Sequence, residues 1–465
     1  MAKSSVVMFS YVEKNEIRMD GDYYKPEFLE IEKCLNLIEK KYYLSDISRD
    51  IFHPKEFKRE YSKASKGIPL IRISNVSKGI FLEKKDFEYI YKKDEIFLNK
   101  NKVVEGDIII TRSGTIGLPV IITKSEEGYL VSADFIVLKI DKNKINPYYL
   151  LIYLASKFGR QIIRGSIGGV QHHINTQNLR KIIVIPGSTN FQLRIEQLIK
   201  QAYEKRKLAE QKYQQAEELL YKLLGITKEE IEKLEEEKGY ETNFKNVVEA
   251  FRFDAEYYHP KYLGIIELLE KSSFEVKLLR ELVDISDEKV DPTSEENKTK
   301  RFRYVPIAKI NESGEIFEWD EFYGWQAPSR ARMLIRENDI IIPSLAGTFD
   351  KIALVPKELD KQLATTGCFV IRSKGDYPEF LFLLFRTPLF KRQLEQQTTG
   401  AIMSAVPKSV FGNLLIPKIP KNKQINIAKL VREYFELRKG ARELIKQAVR
   451  EVEEEIENVS KSNRK

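Results

Sequence analysis

Few side chains in this sequence are placed for chemistry. His172 and His173 stand side by side, two of only 4 histidines. Neither has a further His or Cys at a spacing that would close around a metal ion. Cys34 and Cys368 are the only cysteines and lie far apart. That excludes a disulfide framework or a zinc knuckle and suits a reducing cytosol. Gly165-Ser166-Ile167-Gly168-Gly169 lacks the strand–GxGxxG–helix frame of a dinucleotide site, and no P-loop lysine motif occurs, so ATP-driven work is not written here. What remains is polar and basic loop chemistry. Arg112-Ser113-Gly114-Thr115-Ile116-Gly117 follows a strand-like run, as Ser344-Leu345-Ala346-Gly347-Thr348 does further on. Gly169-Val170-Gln171-His172-His173-Ile174-Asn175 aligns with Gly400-Ala401-Ile402-Met403-Ser404-Ala405-Val406. Gln, Asn, Arg and His can read base edges in a DNA major groove, and Ser, Thr, Lys and backbone N–H groups can hold phosphates. The candidate contacts are Arg112, Ser113, Thr115, Gln171, His172, His173 and Asn175 in the first stretch. In the second they are Ser344, Thr348, Met403, Ser404 and Lys408. The bland alternative is that these glycines only make turns.

One further motif invites a catalytic reading. Asn146-Pro147-Tyr148-Tyr149 resembles the Asn/Asp-Pro-Pro-aromatic loop with which amino-methyltransferases grip a flipped base. The second proline is missing, and the equivalent stretch reads Tyr377-Pro378-Glu379-Phe380. Proline in the first turn of a helix explains both. Composition adds broad bounds. The 465 residues are 42% hydrophobic and 32% charged, as in a globular chain. That length makes two to four domains of roughly 100–200 residues each. Lys and Arg number 78 against 69 Asp and Glu, a net charge of +9. The pI of 9.0 leans toward a polyanionic partner without excluding an ordinary enzyme. No apolar run approaches the ~18–20 residues of a membrane span, and no signal-peptide core follows Met1.

The elements that must position these loops occur twice. Arg18-Met19-Asp20-Gly21-Asp22-Tyr23-Tyr24-Lys25-Pro26 recurs as Arg252-Phe253-Asp254-Ala255-Glu256-Tyr257-Tyr258-His259-Pro260. Glu105-Gly106-Asp107-Ile108-Ile109-Ile110 recurs as Glu337-Asn338-Asp339-Ile340-Ile341-Ile342, and Ile185-Pro186 as Ile416-Pro417. The chain is two copies of one unit, near 1–225 and 251–459. Residues 68–74, 107–113, 119–123 and 130–140 are expected strands, with counterparts at 304–310, 339–344, 351–355 and 363–372, because Val, Ile and Thr cluster there between Gly and Pro.

Each copy ends in a heptad segment. Ile195, Ile199, Ala202, Arg206, Ala209, Tyr213, Ala216, Leu220 and Leu223 step alternately by four and three. So do Ile427, Val431, Tyr434, Arg438, Ala441, Ile445, Ala448, Val452 and Glu455. Such seams argue for coiled-coil packing of the two helices on each other, the alternative being amphipathic helices on their own domains. Arg206 and Arg438 share one slot, as a register device or a snorkelling charge. Residues 227–238, mostly Glu and Lys, read as a solvated helical linker. Strands followed by helices favour an α+β class.

In this order, these motifs resemble the specificity subunit of Type I restriction–modification systems over nearly the whole chain. The paired opening motifs look like that family's domain starts. Gly-x-Gln-x-x-Ile at 169–174, followed by Leu179 and Ile185-Pro186, resembles the motif that closes a recognition domain, with a looser version at Thr399-Gly400, Pro407 and Ile416-Pro417. The resemblance implies an α+β chain of two tandem mixed α/β target-recognition domains, each followed by a long helix, the two helices pairing as an antiparallel coiled coil. The expected divisions are recognition domain 1–190, central helix 191–225, charged linker 226–250, recognition domain 251–422, terminal helix 423–459 and tail 460–465. The linker is longer than a minimal connection, a departure from the family pattern. The resemblance further implies a cytoplasmic, non-catalytic subunit that reads a bipartite asymmetric sequence in double-stranded DNA. It would hold two adenine-methyltransferase subunits, with a translocating nuclease subunit where restriction is active. AdoMet, ATP and Mg would belong to those partners and none to this chain. Two other classes stay open: a single-chain methyltransferase or nuclease, betrayed by AdoMet binding to the chain alone, and a coiled-coil adaptor binding DNA without specificity.

Overall fold

The isoleucine runs 108–110 and 340–342 are apolar on both sides because both sides are covered. In the computed structural model, which describes residues 5–14, 21–76, 79–83, 87–92, 98–166, 174–236, 240–400 and 404–463, the chain forms two compact units. One comprises Met1–Lys205 with Lys439–Lys465 and the other Arg206–Arg438. The units do not follow the sequence repeats, because each takes part of both long helices, Thr189–Leu224 and Lys421–Ser462.

The first unit contains strands β1 (Tyr42–Tyr43), β2 (Ser48–Phe52), β3 (Tyr61–Ser62), β4 (Gly67–Ile71), β5 (Glu88–Tyr91), β6 (Ile108–Thr111), β7 (Pro119–Ile121), β8 (Leu130–Val131), β9 (Phe135–Ile140) and β10 (Ile183–Val184). They form an antiparallel sheet in the order β2-β9-β6-β7, a second sheet β3-β5-β4-β8 with its β4–β8 pair parallel, and the pair β1-β10. Period-two alternation sorts the side chains. Ile108, Ile110, Ile136 and Leu138 pack with Tyr149 to Leu154 of the helix Pro147–Ala155. Ile109, Phe135 and Val137 point the other way, against Ile71 and Val131 of the second sheet. A strand buried on both faces needs no polar alternation, hence the unbroken apolar run.

The second unit repeats this with β11 (Val276–Leu278), β12 (Val283–Ser286), β13 (Arg301–Val305), β14 (Asp320–Tyr323), β15 (Ala331–Ile335), β16 (Ile340–Pro343), β17 (Ala353–Leu354), β18 (Gln362–Thr365), β19 (Cys368–Ser373) and β20 (Leu415–Pro417). Its sheets run β12-β19-β16-β17 and β14-β13-β18-β15, with the pair β11-β20. Ile340, Ile342 and Ile371 face the helix Pro378–Arg386, while Ile341 and Val370 face Val305 and Ala364. The mixed α+β class expected from the sequence is present in both units.

Two expected strands are each two strands in different sheets. The stretch 130–140 breaks between β8 and β9, where Phe135 N–H donates to the Ser132 carbonyl and Ser132 Oγ to Asp134. The stretch 363–372 breaks between β18 and β19, where Gly367 N–H donates to Thr365 Oγ1. Each turn carries the chain from one sheet to the other. Apolar content alone does not register a turn whose flanks are both buried.

In the first unit Ile195, Ile199 and Ala202 share a core with Ala441, Ala448, Val452 and Ile456, and Arg194 is paired with Glu451 at 2.7 Å. In the second, Ala209, Tyr213, Ala216 and Leu220 share one with Ile427, Val431 and Tyr434, and Lys212 is paired with Glu433 at 2.6 Å. Within each unit, then, the two helix segments pack along the seam. The last seam position is Ile456 rather than Glu455, the drift expected when a 3.6-residue turn carries a 3.5-residue repeat. Arg438 is buried and paired with Glu315 at 3.3 Å, not snorkelling. The Lys228–Glu236 helix is also less solvated than its composition suggests. Thr227 and Glu230 close a reciprocal cap at its start, Ile231 is buried, and Leu234 lies over Gly264, where a Cβ would sit 2.3 Å from it.

Candidate nucleic-acid interface

In the first unit the Arg112 loop is the turn between β6 and β7. Thr111 Oγ1 holds it, donating to the Thr115 carbonyl at 2.6 Å and accepting from Leu118 N–H at 2.9 Å. Gly114 and Gly117 take left-handed φ of 68° and 83°, which β-carbon-bearing residues rarely adopt. The turn leaves Thr115 exposed and Ser113 half-buried. Arg112 donates from its guanidinium to Nε2 of His53 at 2.9 Å. Asn175 is the N-cap of the short helix Thr176–Arg180, its side chain accepting from Asn178 N–H at 2.7 Å. Its carbonyl oxygen therefore serves the fold. Gln171, His172, His173 and, in the second unit, Met403 lie outside the described residues.

The second unit brings its candidates into one place. Ala346 N–H donates to the Ser404 carbonyl and Val406 N–H to the Ser344 carbonyl, both at 2.9 Å, so the two loops are zipped together. Their hydroxyls are turned inward on loop carbonyls: Ser344 Oγ to Gly367 at 2.9 Å, Thr348 Oγ1 to Leu345 at 2.7 Å, and Ser404 Oγ to Gly400 at 2.7 Å. Lys408 starts the short helix Lys408–Phe411 and is ion-paired with Asp287. The Asn146-Pro147-Tyr148-Tyr149 motif is a helix start. Asn146 caps it by accepting from Tyr148 N–H at 2.9 Å, Pro147 fills the first turn, and Tyr149 Oη donates to the Ile185 carbonyl at 2.6 Å.

Two contributors escaped the sequence reading. His53 directly follows β2 and Asp287 directly follows β12, and each holds a loop cation, Arg112 and Lys408 respectively. Aligning the copies between their opening motifs and isoleucine runs would have set the two residues opposite each other. The segment from His53 to Lys66 also carries Lys55, Lys58, Arg59, Lys63 and Lys66 against Glu56 and Glu60, a basic stretch that begins at the partner of Arg112.

Residues 40–218 match the family described as Type I restriction modification DNA specificity domain. Over that stretch, which includes the Arg112 turn, the chain is similar to a DNA specificity domain. No relative is found among curated protein sequences. Two solved structures are similar over most of their length. The S subunit of the Type I restriction–modification system from M. genitalium is 12% identical, covers 91% of this chain and 96% of its own, and has a TM-score of 0.42. The HsdS subunit from Thermoanaerobacter tengcongensis is 12% identical, covers 90% and 96%, and has a TM-score of 0.29. Among the described residues no helix is long and apolar enough to cross a membrane, and no cluster of His, Cys, Asp and Glu could hold a metal ion.

Proposed function

We propose that the chain reads an asymmetric, two-part sequence in double-stranded DNA, one part through each unit, and holds two adenine-methyltransferase subunits on its long helices. A translocating nuclease subunit joins where restriction is active, and AdoMet, ATP and Mg act on the partners. The observation that carries this reading is a repeated scaffold with unrepeated loop chemistry. Arg112 and His53 stand at one β6–β7 turn, whereas Ser344 and Asp287 occupy the equivalent places at β16 and β12. Equal scaffolds with unequal polar groups suit two unequal half-sites, since base edges are distinguished by donor and acceptor pattern.

The test is module exchange. Methylation mapping of host DNA defines the gapped target, and residues 1–185 are then replaced by those of another such chain. One half-site should change and the other persist. A simultaneous change in both would refute division of labour between the units.

A further inference from the structure

The residue that follows the outer strand of each main sheet holds a cation of the neighbouring loops, and the chemistry of that residue differs between units. In the second unit it is Asp287 with Lys408, an exposed pair of opposite charges. In the first it is an imidazole facing a guanidinium, which attract only while the imidazole is neutral. Nε2 of His53 accepts from Arg112 at 2.9 Å, and the ring lies near the Ala133 carbonyl. A guanidinium has only hydrogens to give, so Nε2 keeps its lone pair for Arg112 and the ring proton sits on Nδ1. Arg112 is tethered from its main chain as well, its N–H donating to the Asp134 carbonyl at 2.8 Å. Among the described residues His53 is the one side chain that holds the guanidinium.

We propose that His53 is a positioning residue that presents Arg112 to the first half-site, and that its protonation releases Arg112 and weakens recognition of that half-site alone. The proposal rests on the DNA-reading role given above to the Arg112 turn. Protonation puts a hydrogen on Nε2, which turns the acceptor into a donor and sets two cations against each other. The groups around the ring are Arg112 from the β6–β7 turn, Asp134 from the β8–β9 turn and Glu56 from its own segment. Burial first, then Arg112, lower the His53 pKa, while the Ala133 carbonyl, Glu56 and Asp134 raise it; the balance is downward. The ring is therefore neutral at pH 7 and takes up a proton only below the ordinary imidazole range.

The experiment measures binding of the full chain, assembled with its methyltransferase subunits, to three labelled duplexes. They are the mapped target, the target with its first half-site scrambled and the target with its second scrambled. As the pH falls from about 7.5 to well below the ordinary imidazole range, discrimination against the scrambled first half-site should fall, by up to roughly tenfold once the ring is charged, the scale of one good base contact. Discrimination against the scrambled second half-site should hold. His53→Gln, whose amide oxygen accepts from Arg112 but does not titrate, should keep discrimination and lose the pH dependence. His53→Ala should lose discrimination at every pH while keeping the wild-type melting temperature. Equal acid loss at both half-sites, tighter binding in acid, or a pH dependence that survives in His53→Gln would overturn the proposal. Arg112→Ala separates the two levels. If it leaves the first half-site intact, the DNA reading of the turn fails and the positioning role with it. If it abolishes discrimination while His53→Ala does not, only the positioning role fails.

Discussion

The Gln393 side chain donates to the Leu415 carbonyl at 2.9 Å and accepts from the Leu415 N–H at 2.7 Å, as a neighbouring strand would. Gln161 does the same to Ile183 in the first unit, at 3.1 and 3.2 Å. Each glutamine pins the strand leading to a long helix onto the helical layer beneath the sheet. Gln393 is buried, so Gln393→Leu keeps the volume and strands one N–H and one C=O. The expected loss is about 1–3 kcal/mol per group left unsatisfied, read as a lower denaturant midpoint. A variant as stable as the wild type would show that water replaces the side chain.

Arg386 is a buried cation that no carboxylate holds among the described residues. It donates to the Asp350 carbonyl at 2.8 Å, to the Ile352 carbonyl at 3.2 Å, to the Glu312 carbonyl and to Tyr213 Oη at 3.2 Å. Arg386→Met should cost about 3 kcal/mol or more, because several acceptors lose their donor together inside the core. Calorimetry of the full chain checks this. The loss should show in the second unit and leave the unfolding of the first in place.

Thiol chemistry should separate the two cysteines. Cys368 is buried and donates its S–H to the Thr365 carbonyl at 2.9 Å, and burial pushes its pKa up to about 12. Cys34 is half-buried. Iodoacetamide at about pH 8 should modify Cys34 first and Cys368 only after unfolding, since the thiolate is the reactive form. Mass spectrometry of the peptides decides. Native-state labelling of Cys368 ahead of Cys34 would contradict the described packing.

The long helices offer a test of the spacer between half-sites. One heptad inserted after Lys205 and one after Lys439 keep both seams in phase and remove no core side chain. Seven residues at about 1.5 Å rise add roughly 10 Å, or about three base pairs at 3.4 Å each. The mapped target should then carry a longer gap. An insertion in one helix alone leaves the antiparallel partners out of register and should reduce folded yield. A well-folded double insertion with the original gap would show that the helices do not set it.

The loop hydroxyls of the second unit predict a milder effect than a direct base contact. Ser404→Ala and Thr348→Ala remove bonds to Gly400 and Leu345 within the loops. They should blur preference at the second half-site by less than 1–3 kcal/mol, the cost of losing a bidentate base contact, and leave the first half-site untouched. A full loss of binding from either would mean that the hydroxyl turns outward on DNA.

Much of this protein was legible before any coordinates. The paired opening motifs, the isoleucine runs and the two seams are local patterns, and repetition at matching places made each confirm the other. Periodicity therefore sufficed to expect an α+β chain with two long helices, and residues such as Ile199, Ala209, Val431 and Ala448 are buried as their spacing demands. The same locality misled where neighbours looked alike. The run 130–140 was continuous in hydrophobicity but not in sheet, and Ile231 and Leu234 were hidden among glutamates and lysines.

What tertiary structure alone decided are the pairings between residues distant in sequence. His53 meets Arg112, Gln161 and Gln393 meet strands more than twenty residues away, and Lys408 meets Asp287. The sequence by itself determined the repeat, the isoleucine strands and the two long helices, because those follow from the few residues on either side. It left open which loop faces which, since a hydrogen bond across the fold depends on how sheets and helices stack, and no short pattern encodes that.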